Sequence, residues 1–259
     1  IREQMRSVFS VSPCIRQVAK RQSFSAGINV DKKDDMKRLW HWPIDPLART
    51  VRLALGEKNW SFESIVVRPW SHDLELAALA PGATAPAMTD INADIRMTAI
   101  GSLAICEYIE EAEPSPRLLP FNPVDKAEAR RLWQWSEENF AGINNTLLDE
   151  RISQRVRRES EPNSAALRQG AHALNNRLTF LDALSADRPY LAGRHLSLAD
   201  LSIAAHLSAY DYFGDVPWHT CPDLKSWYAR IKSRPSFRAL LLDRLENVKP
   251  VEHYADLDF

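Results

Sequence analysis

Glycine is scarce in this chain of 259 residues: there are eight, and no two of them lie closer than 19 residues apart. The glycine-rich phosphate-binding patterns GxGxxG and GxxxxGK[ST] therefore occur nowhere in the sequence. This excludes, in those two forms, nucleotide binding through a glycine-rich turn at a helix N-terminus. Proline is twice as frequent, with sixteen residues, so we expect prolines to set many of the turns and helix starts.

Cysteine and net charge are also low. The three cysteines are far apart and form no CxxC pair, which predicts no disulfide framework and a reducing, cytoplasmic location. The seven histidines include no HExxH pattern, and we expect no metal site. A net charge of −1 gives no overall field that would attract nucleic acid. No apolar run approaches the ~20 residues of a membrane-spanning helix, so we expect no membrane insertion.

The N-terminal residues differ from the rest in composition. Residues 1–30 combine five Lys or Arg with five Ser and one acidic residue, and they show little periodicity. This mixture favours a disordered extension over residues 1–35, or translated sequence ahead of a start at Met36. A transit peptide is the alternative.

Strand and helix patterns alternate over residues 36–118. Asp45 followed by Pro46 predicts a helix start with Asp45 as the N-cap residue, and a later helix begins at Ser102. The order β-α-β-α-β-β-α predicts a small mixed sheet covered by helices, which makes this segment an α/β domain. The predicted strands are 37–42, 62–67, 87–89 and 95–98.

The remainder of the chain is predicted to be all-α. Apolar residues recur at helical spacing over residues 119–250, and a long helix is predicted over 125–158. Ser197 and Asp200 form a capping-box pattern at the start of another helix. A tail, residues 251–259, follows this helical domain.

Four strings of the sequence, in order, resemble the glutathione transferase superfamily. They are WPIDPLAR (42–49), APAM (85–88), SLAICEYI (102–109) and LAD (198–200). The resemblance covers residues 36 to about 245. It implies the glutathione transferase fold, in which an N-terminal thioredoxin-like domain (36–118) is followed by a C-terminal helical domain (119–250).

The resemblance also implies where a glutathione site would lie. A cis Pro86 would present the backbone of Ala85 to glutathione, and Ser102 at a helix N-terminus would bind a carboxylate. The alternative is that both features serve only the fold. The position of the thiol-activating hydroxyl or cysteine is taken by Asp45, whose charge repels a thiolate. Gly101 stands where relatives often carry an acid that contacts the ligand. We therefore expect a remnant of the site, with no catalytic residue and no cofactor.

Transferase activity would need a substitute for the missing activator. His41 and Ser61 are candidates for that role, and the alternative for His41 is a packed or solvated side chain. A glutathione-dependent enzyme with an unusual activator is therefore the alternative function.

The tail (251–259) alternates acidic residues with aromatic and aliphatic ones. It resembles the ending of a family of glutathione-transferase-like cell-division proteins of alphaproteobacteria. That resemblance implies binding to FtsZ filaments, regulation of their curvature and of constriction, and a position at the division site. The tail residues expected to contact the partner are Asp256, Leu257, Asp258 and Phe259. A tail that packs only on its own domain is the alternative.

Two other surfaces are candidates for partner binding. Trp70 lies in a polar loop, where an aromatic side chain is typical of a binding anchor; the alternative is packing at the domain interface. Glu150, Arg151 and Arg155 lie on the predicted long helix, and Arg158 continues the spacing i, i+4, i+7. This stripe would steer an acidic filament, or it is a solvated helix face. We expect a homodimer, and a scaffold dimer that binds other partners is a third function class.

Overall fold

A four-stranded mixed sheet forms the centre of the N-terminal half. The described residues of this computed structural model are 36–92, 94–159 and 161–257. The predicted extension (1–35) and the tail residues Asp258 and Phe259 lie outside them. The strand order is β2-β1-β3-β4, with β1 and β2 parallel and the other pairs antiparallel. The strands are β1 (Met36–His41), β2 (Glu63–Val66), β3 (Ala87–Ile91) and β4 (Arg96–Ile100).

The hairpin of β3 and β4 is longer than predicted. The side-chain oxygen of Asn92 accepts hydrogen bonds from the amides of Asp94 and Ile95, at 2.9 and 2.8 Å. An asparagine that bonds its own backbone in this way confines the turn to a few residues. Pairing therefore continues up to the turn, from Ala87 opposite Ile100 to Ile91 opposite Arg96.

Both faces of the central strand β1 are buried. Leu39 belongs to the main core, whereas Trp40 packs with Val67, Leu76 and Ala87 on the opposite face. Successive side chains of a strand point to opposite faces, so helices must cover the sheet on both sides. These helices are α1 (Pro46–Glu57), α2 (Leu74–Leu79) and α3 (Ser102–Ala112).

A buried helix organises the C-terminal half. Every residue of α6 is buried, and its start has the predicted capping box, with Ser197 and Asp200 each bonding the other's backbone. Asp200 also accepts a hydrogen bond from the amide of Leu191, which ties the preceding loop to the helix. The helices of this half are α4 (Pro123–Ile143), α5 (Ser164–Asp187), α6 (Leu198–Phe213), α7 (Pro222–Lys232) and α8 (Arg238–Leu241).

The predicted long helix is helical to Arg157 but is not a continuous α-helix. After α4 the chain forms π-helical turns over Asn144–Leu148 and Ile152–Arg157, with one α-helical turn between them. The side chain of Asn144 accepts a hydrogen bond from the Tyr210 hydroxyl at 2.6 Å. Because π turns bond residue i to i+5, the spacing i, i+4, i+7 does not keep one face of this segment.

One buried arginine joins the two halves. Arg49 of α1 is fully buried, and its Nε donates to the carbonyl of Pro43 at 2.8 Å. Its Nη1 donates to Ser208 Oγ at 2.7 Å and to the hydroxyl of Tyr254 at 2.9 Å. Its Nη2 lies 3.2 Å from Asp243 Oδ2. A buried charge is tolerated only when it is paired and hydrogen-bonded, and these four partners meet that requirement.

Replacing this arginine tests how much the junction contributes to stability. We expect Arg49→Ala to lower the free energy of unfolding by about 3 kcal/mol, because it leaves buried polar groups without their donor and opens a cavity. Urea unfolding of both proteins measures the difference. The exposed Arg155→Ala is the matched control and should change stability by less than about 0.5 kcal/mol. Equal effects of the two substitutions would contradict this account of the junction.

Candidate functional site

A cavity of about 490 Å³ lies where the glutathione site was predicted. Asp45 at the start of α1 and Ala85 beside the turn before β3 both line it, together with Trp42 and residues 67–69 and 71–73. The bond between Ala85 and Pro86 is cis, as the resemblance to the glutathione transferases implied. The cavity therefore brings together the N-terminus of a helix and the backbone of a cis-proline turn.

Asp45 caps the helix that begins at this cavity. Its Oδ2 accepts a hydrogen bond from the amide of Ala48 at 2.9 Å, as expected for an N-cap residue. The pKa of the Asp45 carboxyl is raised to about 6, chiefly by burial, with the amides of Ala48 and Leu47 opposing the rise and the nearby Glu137 carboxylate adding to it. At neutral pH this side chain is mostly charged, and a thiolate placed beside it would be destabilised.

The hydroxyl of Ser102 is already bound by the protein itself. Ser102 is almost fully buried at the start of α3, and its Oγ donates to Glu137 Oε1 at 2.6 Å. The same oxygen of Glu137 accepts a hydrogen bond from Trp133 Nε1 at 2.9 Å. A carboxylate from α4 therefore occupies the position at which a ligand carboxylate was predicted to bind.

Gly101 connects the two parts of the predicted site. Its amide donates to the carbonyl of Pro86 at 2.8 Å, and its φ is +86°. Glycine adopts this backbone conformation without a steric penalty, whereas other residues are strained in it. An acidic side chain at this position would therefore have a conformational cost.

His41 and Ser61 do not line the cavity. His41 is buried, and its Nε2 lies 2.7 Å from Ser64 Oγ. Burial lowers the pKa of His41 to about 4, and the positive charge of Arg52 contributes to the same shift. The side chain is consequently neutral at pH 7 and acts as a packing and hydrogen-bonding group.

The C-terminal tail divides into a bound part and an exposed part. The amide of Val251 donates to the Tyr212 carbonyl at 3.2 Å, His253 Nε2 lies 2.9 Å from Asp211 Oδ1, and Tyr254 is fully buried. Beyond Tyr254 the side chains of residues 255–257 are exposed. The alternative of packing on the same domain thus holds for residues 251–254, and the chain then emerges at the surface.

Trp70 packs against both halves of the protein while keeping 36% of its surface exposed. Its ring makes an edge-to-face contact with Trp42, with 5.2 Å between the ring centroids. The guanidinium of Arg157, from the second π-helical segment, lies 5.3 Å from the Trp70 ring centroid. The alternative of packing at the domain interface therefore accounts for most of this side chain.

The candidate residues of the predicted arginine stripe have different surroundings. Arg151 forms a two-pronged ion pair with Asp215, at distances down to 2.6 Å. Glu150 accepts a hydrogen bond from the amide of Asn163, and Arg155 is exposed. Asp215 directly follows Gly214, against which Val251 packs so closely that a Cβ on Gly214 would lie 2.8 Å from it. Arg151 is therefore linked to the base of the tail through a single turn.

Comparisons with known proteins agree with this geometry. Residues 39–117 match the family model described as Glutathione S-transferase, N-terminal domain, and residues 152–244 match the corresponding C-terminal domain. The chain belongs to the glutathione S-transferase family. Among the described residues, no helix combines the length and the apolar character that crossing a membrane requires. The same residues contain no group of three or more His, Cys, Asp or Glu side chains placed to hold a metal ion.

Relatives within the glutathione S-transferase family cover nearly the whole described chain. FtsZ-localized protein A of Caulobacter vibrioides is 45% identical over 224 residues, which span 86% of this chain and 98% of the relative. The solved structure of FzlA from C. crescentus superimposes with a TM-score of 0.83 at 44% identity and covers 86% of this chain and all of that one. A glutathione S-transferase from Rhodospirillum rubrum has a TM-score of 0.79 at 37% identity, with the same coverage of both chains.

Sequence analysis missed two residues that determine this part of the transferase fold. Glu137 binds Ser102 from 35 positions away, and the only local signal was its i+4 spacing from Trp133. Arg49 looked like an ordinary polar residue of a helix. A charged residue among the apolar positions of a helix that packs against a second domain was the signal for a buried ion pair.

The raised pKa of Asp45 predicts a pH dependence. Because the folded-state pKa of about 6 lies above the ordinary carboxyl value, the stability from this group is present below about pH 4. It is lost as the pH rises through about 6. We expect the free energy of unfolding of the wild type, relative to Asp45→Asn, to fall by about 2 kcal/mol between about pH 4.5 and 7.5. Urea titrations measure this difference, and parallel pH profiles for the two proteins would contradict the assignment.

Proposed function

We propose that this chain is a non-catalytic protein that binds FtsZ filaments in the cytoplasm at the division site and acts in cell division and septation. The observation that carries the proposal is the 45% identity, over nearly all of its length, to a protein named FtsZ-localized protein A. The tail supports it, because a buried Tyr254 is followed by the exposed residues Asp256 and Leu257. An exposed aliphatic side chain beside acidic residues is suited to docking in a groove on a partner.

The chemistry of the cavity supports a function without catalysis. A transferase lowers the pKa of the glutathione thiol, which needs a hydrogen-bond donor or a positive charge beside the sulfur. Asp45 supplies a negative charge at that position, and the hydroxyl of Ser102 is held by Glu137. Asp45 would therefore destabilise the thiolate of bound glutathione. The bond from Ser102 to Glu137 would disfavour binding of a glutathione carboxylate.

In this proposal, a homodimer links filament binding to the regulation of filament curvature. A two-fold dimer carries two copies of every surface, so two tails would bind two FtsZ subunits at a fixed relative angle. A rigid angle between bound subunits would favour one filament curvature over others. We propose Trp70 and Arg155 as further contacts to the filament, with Glu150 and Arg151 supporting that surface near the base of the tail.

The helices α3 and α4 are the proposed dimer surface. Arg130 and Glu107 join them by two hydrogen bonds of 2.8 Å, so the two helices lie side by side. Leu103 of α3, and Phe121 and Val124 at the start of α4, are exposed by 58%, 80% and 75%, and exposed large apolar side chains are typical of interaction surfaces. We expect light scattering to give twice the chain mass, and Val124→Glu to give the mass of one chain. A wild-type mass of one chain would contradict the dimer.

Co-sedimentation with polymerised FtsZ tests the proposed function. We expect the wild type to pellet with filaments at physiological salt and a chain lacking residues 256–259 to bind at least about tenfold more weakly. This deletion leaves the buried Tyr254 in place, so folding is preserved. The matched control is Leu242→Ala, which removes another exposed leucine and should bind like the wild type.

Two results would contradict the proposal in different ways. If the folded wild type stays in the supernatant, FtsZ binding is wrong. If it also binds glutathione in a calorimetric titration, the alternative of a glutathione-dependent enzyme is favoured. Binding by the shortened chain that equals the wild type would instead place the filament contact outside the tail.

A further inference from the structure

We propose that the contact between Arg49 and Tyr254 positions the end of the tail for binding its partner, so that both act as positioning residues. The inference rests on the proposed function. It adds that the junction between the two halves sets the position of the exposed end of the tail. It follows from how Tyr254 is held, how rigid its anchor is, and how few residues separate it from the exposed end of the tail.

The phenol of Tyr254 has both of its hydrogen bonds made inside the protein. Its hydroxyl accepts a bond from Arg49 Nη1 at 2.9 Å and donates one to the carbonyl of Leu240 at 3.1 Å. Its ring makes an edge-to-face contact with Tyr212, with 5.2 Å between centroids. A tyrosine that is buried and fully bonded in this way fixes the main chain that carries it.

The anchor of Tyr254 is rigid because Arg49 is held on three other sides. Its guanidinium is bonded to Pro43, Ser208 and Asp243 and has no exposed surface. These partners come from the sheet half, from α6 and from the loop after α8. The position of Tyr254 is thus set by the packing of the two halves against each other.

A second contact holds the chain just before Tyr254. His253 Nε2 lies 2.9 Å from the buried Asp211, and the His253 carbonyl accepts a hydrogen bond from Lys232 Nζ at 3.1 Å. Residues 253 and 254 are therefore both held in place, which fixes the direction in which the chain continues toward the end of the tail. Loss of either contact would leave this part of the tail less firmly held.

The exposed end of the tail lies close to Tyr254, so the anchoring of Tyr254 affects how the tail binds a partner. Leu257 is three residues beyond Tyr254, and an extended residue spans at most about 3.6 Å, so Leu257 lies within about 11 Å of the anchor. A tail that explores fewer positions loses less entropy when it binds. The fraction of molecules with a correctly placed tail also sets the apparent affinity.

Tyr254→Phe tests the inference in the full chain. The substitution keeps the buried ring and removes only the hydroxyl, so the variant is expected to fold. We expect its apparent Kd for FtsZ filaments in co-sedimentation to rise by about threefold to tenfold. The matched control is Tyr210→Phe, which removes a hydroxyl of equal burial that bonds Asn144 instead, and its Kd should equal that of the wild type.

Two readouts separate positioning from a general loss of stability. In Tyr254→Phe, hydrogen exchange should speed up at the amides of Tyr254 and Asp256, which bond the carbonyls of Val251 and His253. Exchange in α6 should stay unchanged. In a chain lacking residues 256–259, the same substitution should have no further effect on binding.

The failure of this inference can be distinguished from the failure of the proposed function. If the wild type pellets with filaments and Tyr254→Phe binds them with equal affinity, the positioning role is wrong and FtsZ binding stands. A loss of affinity that persists in the shortened chain also overturns it, because the effect then does not act through the tail. A wild type that does not pellet overturns both.

Discussion

The burial of one guanidinium constrains more of this protein than any other single interaction in its described part. Arg49 cannot leave its charge unpaired in an apolar core, because an uncompensated buried ion costs several kcal/mol (about 3–5 when a partner is lost). Its partners Pro43, Ser208, Asp243 and Tyr254 must therefore all be present and in place. The packing of the sheet half on α6, the course of the loop after α8 and the start of the exposed tail follow from this requirement.

Features governed by local rules could be predicted from the sequence. Asp45 before Pro46 is an N-cap, and Ser197 with Asp200 is a capping box. Each depends on residues within a few positions of one another. The mixed sheet covered by helices also followed, from the order of strand and helix patterns along the chain.

Features that join distant segments could not be predicted in the same way. The bond from Arg49 to Tyr254 spans 205 positions, and no spacing rule connects residues so far apart. Asn144, in the first π-helical segment, accepts a hydrogen bond from Tyr210 in another helix, and the π turns do not maintain the arginine stripe expected from regular α-helical spacing. The partners of buried polar groups lie in distant segments, and helical periodicity does not identify them.

The cavity and the tail differ in how the described part of the chain uses its polar groups. At the cavity, the groups that would serve a ligand are used by the protein: the Asp45 carboxylate caps α1, and the Ser102 hydroxyl binds Glu137. Such groups remain necessary for stability even when no ligand is bound. At the tail the situation differs, because the buried residues end at Tyr254 and Leu257 is exposed. Surface that the fold itself does not require is where binding to another molecule has the least effect on stability.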